Sequence, residues 1–211
     1  MTMTYTELKT NINDICENTF TDAQLALFTE QAEQKIYNAV QFPALRKNVT
    51  GTMTSGTKYL TMPTDFLYSY SLAVINSSGV YTFLLNKDVN FMREAYPNPS
   101  STGTPVHYAY FDQDSFILGP TPDSSYSTEL HYGYYPQSIV DAGTTWLGTE
   151  FDSALLNGAL VEAIRFLKGE PDVVAMYDKM YSESLLLLKN LGDGKLRADT
   201  YRSGQPRLAV Q

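Results

Sequence analysis

The apolar residues of this chain repeat with two different periods, and the places where the period changes constrain its fold more than any other feature. In the first forty residues the steps are three and four: Leu8, Ile12, Ile15 and Cys16, then Leu25, Phe28, Ala32, Ile36 and Val40. That spacing gathers apolar side chains on one helical face. Thr4 with Glu7, and Thr21 with Gln24, stand where a hydroxyl and a side-chain carbonyl cap a first helical turn reciprocally. Two helices are predicted, the second ended by Pro43. From about Val49 to Tyr135 the period becomes two, and 11 of the 16 tyrosines fall there. Aromatic and β-branched residues suit a half-buried pleated surface, so this stretch reads as antiparallel strands. Ser55-Gly56, the run Asn76 to Gly79, and Asp112-Gln113-Asp114 read as hairpin tips. A short helix is predicted near Asp88 to Ala95, and the proline-rich stretch Pro97 to Pro105 as a loop.

Helical period returns at Thr149. Leu155, Leu156, Ala159, Leu160, Ala163, Ile164 and Leu167 make a wide apolar stripe, with Gly169 placed as its C-terminal cap. Pro171 suits the first turn of a last helix, whose Val174, Tyr177, Met180, Tyr181, Leu185, Leu188 and Leu191 run to Gly192. The fold class is therefore α+β. The N-terminal and C-terminal helices (1–46 and 147–192) are expected to form one bundle, with an inserted antiparallel, Tyr-rich β-domain (47–146) and an extended arm (193–211). Helices laid on one sheet face would satisfy the same order, but stripes this broad favour helix-on-helix packing.

The 211 residues are 43% hydrophobic and 18% charged, enough to bury a core. No window approaches 18 uninterrupted apolar residues, so no membrane span is expected. Met1 to Tyr5 lack the basic and apolar segments of a secretory signal, and the lone Cys16 has no partner for an internal disulfide; a reducing compartment suits such a chain. The net charge is −8. It is uneven: residues 193–211 carry Lys195, Arg197, Arg202 and Arg207 against Asp193 and Asp199, a net +2, which leaves −10 for residues 1–192. An acidic body disfavours nonspecific adhesion to DNA.

Motifs that carry chemistry fail one by one. Gly51-Thr52-Met53-Thr54-Ser55-Gly56-Thr57-Lys58 resembles a phosphate-binding loop with its last two residues transposed, but strand-like VTGTMT and KYLTM flank it, so a β-hairpin is expected. His107 and His131 are two imidazoles without a nearby cysteine, short of the four ligands of a structural zinc site. Asp112 and Asp114 begin like a calcium loop but lack its glycine and closing glutamate. Cys16 lies on an apolar helix face, where a thiol is inert. Glu150, Asp152 and Glu162 read as acids that favour a helix dipole. No catalytic residue, metal ligand or cofactor follows.

Extended likeness says more. LRKNVTGTMTSGTKYLTMPTDFLYSYSLAVI (Leu45 to Ile75), LLNKDVNFMREAYPNPSSTGTPVHYA (Leu84 to Ala109), GPTPD (Gly119 to Asp123) and KGEPD (Lys168 to Asp172) resemble the head-to-tail adaptor, or connector, proteins of tailed bacteriophages, particularly the short-tailed phages. The resemblance implies a non-enzymatic virion protein. It implies a homo-oligomeric ring, typically a dodecamer, docked under the portal protein and joined to tail, nozzle or fibre proteins. DNA would pass through the lumen without specific binding, and assembly would take place in the host cytoplasm. It also implies a C-terminal portal-binding arm, here Lys195, Leu196, Arg197, Tyr201, Arg202, Arg207 and Leu208. The arginines suit bidentate pairs with carboxylates, and Leu196, Tyr201 and Leu208 suit pockets. Composition alone leaves two alternatives, a tail-associated glycan hydrolase needing a carboxylate pair about 5 to 9 Å apart, and a glycan-binding module with exposed aromatics.

Overall fold

The computed structural model of the chain describes residues 2–98 and 100–196. The described residues fall into two compact units, Arg46–Tyr135 and the flanking segments on either side of it.

The flanking unit is helical. Helix α1 spans Tyr5–Ile15 and α2 spans Asp22–Ala39. Both open with the reciprocal cap that their sequences announce. Thr4 Oγ1 accepts from the Glu7 amide at 3.2 Å while the Thr4 amide donates to Glu7 Oε2 at 2.8 Å. Thr21 and Gln24 repeat the pair at 3.3 and 2.9 Å. After a 3₁₀ turn, Pro43–Leu45, and the whole β-unit, come α4 (Ile139–Ala142), α5 (Trp146–Glu150), α6 (Asp152–Phe166) and α7 (Pro171–Leu196). Residues 136–146, which the sequence reading joined to the β-rich stretch, cluster with the helices instead. The signal there is local: Ser138 and Thr145 cap α4 and α5 with their hydroxyls, and both helices are too short to show a period. Leu8, Ile12, Leu25, Phe28, Ala32, Ile36, Leu155, Ala159, Leu160 and Leu188 form the core. Gly158 lets α6 approach its neighbours, since a Cβ there would stand 3.1 Å from Ala32 Cβ and 3.2 Å from the Tyr181 ring.

Two details depart from the sequence reading. The cap of α6 is a Schellman motif in which Lys168, at φ +55°, takes the left-handed position. The Lys168 amide donates to the Arg165 carbonyl (3.1 Å) and the Gly169 amide to the Ile164 carbonyl (3.0 Å), so Gly169 is the residue after the left-handed one. Glu162 is not a first-turn acid. It lies in the third turn of α6, where it pairs with Lys35 of α2 and, at 3.6 Å, with Arg165.

The other unit is a two-sheet β-structure. One sheet, in the order β1-β10-β3-β4, consists of Arg46–Met53, Tyr126–Tyr134, Phe66–Ile75 and Tyr81–Phe83, all antiparallel. The second, β2-β8-β7-β5, consists of Tyr59–Thr61, Ser115–Gly119, His107–Tyr110 and Leu85–Asn86. Its β5–β7 pair is parallel, as is the short bridge by which β6 (Thr102–Gly103), inside the stretch read as loop, pairs with β9 (Thr121–Pro122). The shared core takes Met53, Leu72, Leu130 and Tyr132 from the first sheet and Tyr108, Phe116 and Leu118 from the second. Helix α3, Val89–Ala95, starts at the Asp88 cap. Asn76 to Gly79 and Asp112 to Asp114 are hairpin tips, the first between β3 and β4, the second between β7 and β8. The turn at Ser55-Gly56 is not one. Its flanking strands β1 and β2 belong to different sheets, so Gly51 to Lys58 forms a corner of the β-structure.

Candidate docking surfaces

The residues singled out for chemistry are placed apart. His107 lies on β7, its Nδ1 within 2.7 Å of the Tyr96 hydroxyl, and His131 lies on β10 against the Tyr70 ring. Asp112 Oδ1 accepts from the Asp114 amide and the Ser115 hydroxyl, which fixes the β7–β8 turn. Cys16 is half-buried against the helical core, and burial pushes its thiol up. Among the described residues no group of three His, Cys, Asp or Glu side chains converges on a metal-sized site. None of the described helices is long and apolar enough to cross a membrane.

The residues of the expected arm divide. Helix α7 continues through Gly192 and Gly194, so the backbone of Lys195 and Leu196 is helical rather than extended. Arg197, Tyr201, Arg202, Arg207 and Leu208 lie outside the described residues. Gly192 has a packing role: a Cβ there would stand 2.5 Å from the Gln41 carbonyl oxygen. Two glycines inside a helix read as a stop in sequence, but here a close backbone approach explains one of them.

Three exposed surfaces stand out. The first is the outer side of α7. Tyr177, Tyr181, Leu185 and Leu188 face the core, whereas Met176, Met180, Leu187 and Leu191 are 50%, 42%, 67% and 40% exposed. The sequence reading pooled Met180 and Leu191 with the inward residues. At about 100° per residue they belong to a separate stripe with Met176 and Leu187, a signal that a single-face reading hides. The second surface is the outer face of the first sheet. The Arg46 guanidinium sits 4.4 Å over the Tyr70 ring, and the Tyr68 and Tyr70 hydroxyls are 3.1 Å apart. Burial, together with that hydroxyl contact, pushes Tyr68 up to about 12. The third is a cleft of about 450 Å³ between α3 and the β2–β8 edge, lined by Lys58, Tyr59, Arg93, Tyr96 and Phe111.

One buried polar group organises the helical unit. Glu33 on α2 is 2% exposed, and its Oε1 accepts from the Ile139 amide at 3.0 Å, at the start of α4. Burial raises its pKa, opposed in part by hydrogen bonds from Ser138 and Ile139.

No curated protein matches the sequence. The model of the SU10 adaptor protein family matches residues 3–207, nearly the whole chain. That span takes in both helical segments, the β-unit and most of the basic tail, and with it the chain belongs to the SU10 adaptor protein family, the structural adaptors of the phage head-to-tail junction.

Proposed function

We propose that this adaptor works as a non-enzymatic homo-oligomeric ring of twelve copies, docked under the portal protein and joined below to tail nozzle or fibre proteins. Phage DNA passes through its lumen without specific binding. The observation that carries the reading is the reversal of charge inside the family-matched span: −10 over residues 1–192 and +2 beyond. A negatively charged body repels the phosphate backbone, which lets DNA slide, while a basic terminal segment suits carboxylates on another protein. On this reading the arm, 193–211, attaches to the portal through Lys195, Leu196, Arg197, Tyr201, Arg202, Arg207 and Leu208, and assembly takes place in the host cytoplasm.

The test is negative-stain imaging of the protein mixed with portal rings from the same phage. Annular density on one portal face is expected, and its absence at saturating adaptor would end the ring reading. The arm is tested by truncation after Leu196, beyond the last described helical residue, so that Gly192 keeps its contact with Gln41. Thermal unfolding should stay nearly unchanged while portal attachment weakens, and the intact chain's attachment should weaken with salt. A truncated chain that docks with undiminished affinity would remove the arm from the mechanism.

A further inference from the structure

Helix α7 carries two apolar faces, and among the described residues only one packs against the helical core. Val173, Met176, Met180, Leu187 and Leu191 lie within about 60° of one another around the helix axis and extend over about 27 Å of its length. Met176, Met180, Leu187 and Leu191 are all at least 40% exposed. Contiguous apolar surface of this kind marks a contact site on a soluble chain. One flank of the stripe bears Asp172, Lys179, Glu183 and Asn190, so its rim alternates in charge. The Lys179 and Glu183 side chains are 78% and 67% exposed and stand 4.0 Å apart.

That rim selects the occupant. A uniformly acidic partner meets Asp172 and Glu183, and a uniformly basic one meets Lys179. A second α7 running antiparallel meets neither objection. Centred on Ser182, it sets Val173 opposite the partner's Leu191 and Met180 opposite the partner's Ser184. In antiparallel helix pairs like flanks face each other, so Lys179 comes within about 3 Å, along the axis, of the level of the partner's Glu183, and the reciprocal pair follows by symmetry. We propose that the outer stripe of α7 is a two-fold contact with a second copy of this chain, zipped by Met and Leu and keyed at its rim by reciprocal Lys179–Glu183 pairs.

This goes beyond the ring reading and does not depend on it. A two-fold contact closes after two copies, whereas a ring needs two different patches on each subunit. The pair covers the stripe of the free subunit and keeps it from meeting other proteins.

Sedimentation velocity of the full chain, from about 1 to about 200 μM, should show a reversible monomer–dimer equilibrium. The Met180→Glu/Leu187→Glu variant should weaken dimerisation about tenfold or more. Its thermal unfolding should match the wild type, since both positions are exposed. A second pair of variants reads the register. Lys179→Glu and Glu183→Lys alone each place like charges across the contact and weaken it; mixing the two single variants, or combining them in one chain, places opposite charges across it and restores dimerisation. A wild type that stays monomeric over the whole range overturns the proposal, as does a Met180→Glu/Leu187→Glu variant that dimerises like wild type. Single charge variants that are not rescued by mixing overturn the antiparallel contact. None of these results bears on annular density with portal rings, so the two readings fail separately.

Discussion

The two units of this adaptor close their cores with different chemistry. The helical unit is filled mainly with Leu, Ile and Ala, with smaller ring groups at Phe20–Phe28 and Phe42–Trp146, and its helices are tied together by charged groups, Lys35 with Glu162 and Arg165 with Asp178. The β-unit is filled with rings: Phe66, Phe116, Tyr108, Tyr110 and Tyr132 meet at centroid distances of 5.3 to 6.5 Å. There the hydroxyls do the tying. Tyr108 and Tyr110 both reach Ser69 Oγ, at 2.8 and 2.7 Å, and Tyr132 donates to Asp65 at 2.8 Å. Tyrosine lets one side chain fill the core and bond at its edge, which suits a thin two-sheet unit. Leucine has no such second function, so a helix with leucines on two faces is left with one face to offer. The proposed contact falls on α7 for that reason.

The largest effects should come from the two cores. Phe116→Ala removes a ring that packs against those of Phe66, Tyr108 and Tyr110 and should cost about 3 to 5 kcal/mol; Leu160→Ala, 2% exposed in the helical core, should cost about 2 to 5 kcal/mol. Differential scanning calorimetry decides how far the comparison reaches. If each unit holds its own core, each substitution shifts one transition and leaves the other in place. A single transition moved equally by both would mean that the units unfold as one cooperative body.

Acid–base behaviour should separate the units with opposite signs. Glu33 has a folded-state pKa raised above its ordinary 4.5 by burial. The stability of its neutral form is fully present below that value and is lost as pH rises through the folded one. Asp65, in the β-unit, is the reverse. Partial burial opposes its charge, but hydrogen bonds from Lys47 and Tyr132 and the Lys47 charge prevail, and its pKa is lowered from 3.8. Its contribution is present above 3.8 and is lost as pH falls through the lower folded value. Unfolding followed from about pH 3 to pH 7 should show the helical unit weakening toward neutrality and the β-unit weakening toward acid. Glu33→Gln should flatten the first dependence, because an amide oxygen still accepts from the Ile139 amide without a buried charge. Asp65→Asn should flatten the second. Equal pH profiles in wild type and Glu33→Gln would show that the carboxyl is solvated in the folded state.

Much of this was legible in the sequence because it is local. The capping pairs Thr4–Glu7 and Thr21–Gln24, the α3 start at Asp88, the turn at Asp112 and the apolar face of α6 are all written within a few residues. What was not legible depends on partners far along the chain. Nothing near Ser55 says that β1 and β2 enter different sheets, because β1 finds its neighbour in β10 and β2 finds its own in β8. Glu162 looked like a dipole acid until α2 supplied Lys35. Glu33 has no sequence signature at all, since its role depends on an amide 106 residues away. On α7 the apolar residues were visible but their division between two faces was not, because Met180 and Tyr181 are neighbours in sequence that point to different surroundings.

The smallest effect tests the most local feature that the units do not share. Among the described residues two non-glycine residues have positive φ, Glu17 at +47° and Lys168 at +55°; both sit in the helical unit and both follow a helix end. After α1, the Glu17 amide donates to the Asp14 carbonyl at 3.3 Å and the Asn18 amide to the Asn13 carbonyl at 3.1 Å, the same pair of bonds that closes α6 around Lys168. A side chain in this conformation brings Cβ against its own carbonyl, whereas glycine does not. Glu17→Gly and Lys168→Gly should therefore each stabilise the helical unit, by about 0.5 to 1 kcal/mol after the extra backbone entropy of glycine in the unfolded chain is set against the relieved strain. The calorimetric transition assigned by Leu160→Ala should rise by a few degrees, with the β-unit's unchanged. If Lys168→Gly lowered it instead, the Lys168 stem would be contributing packing that outweighs its backbone strain, and the helix end would be held by its side chain rather than by its two amides.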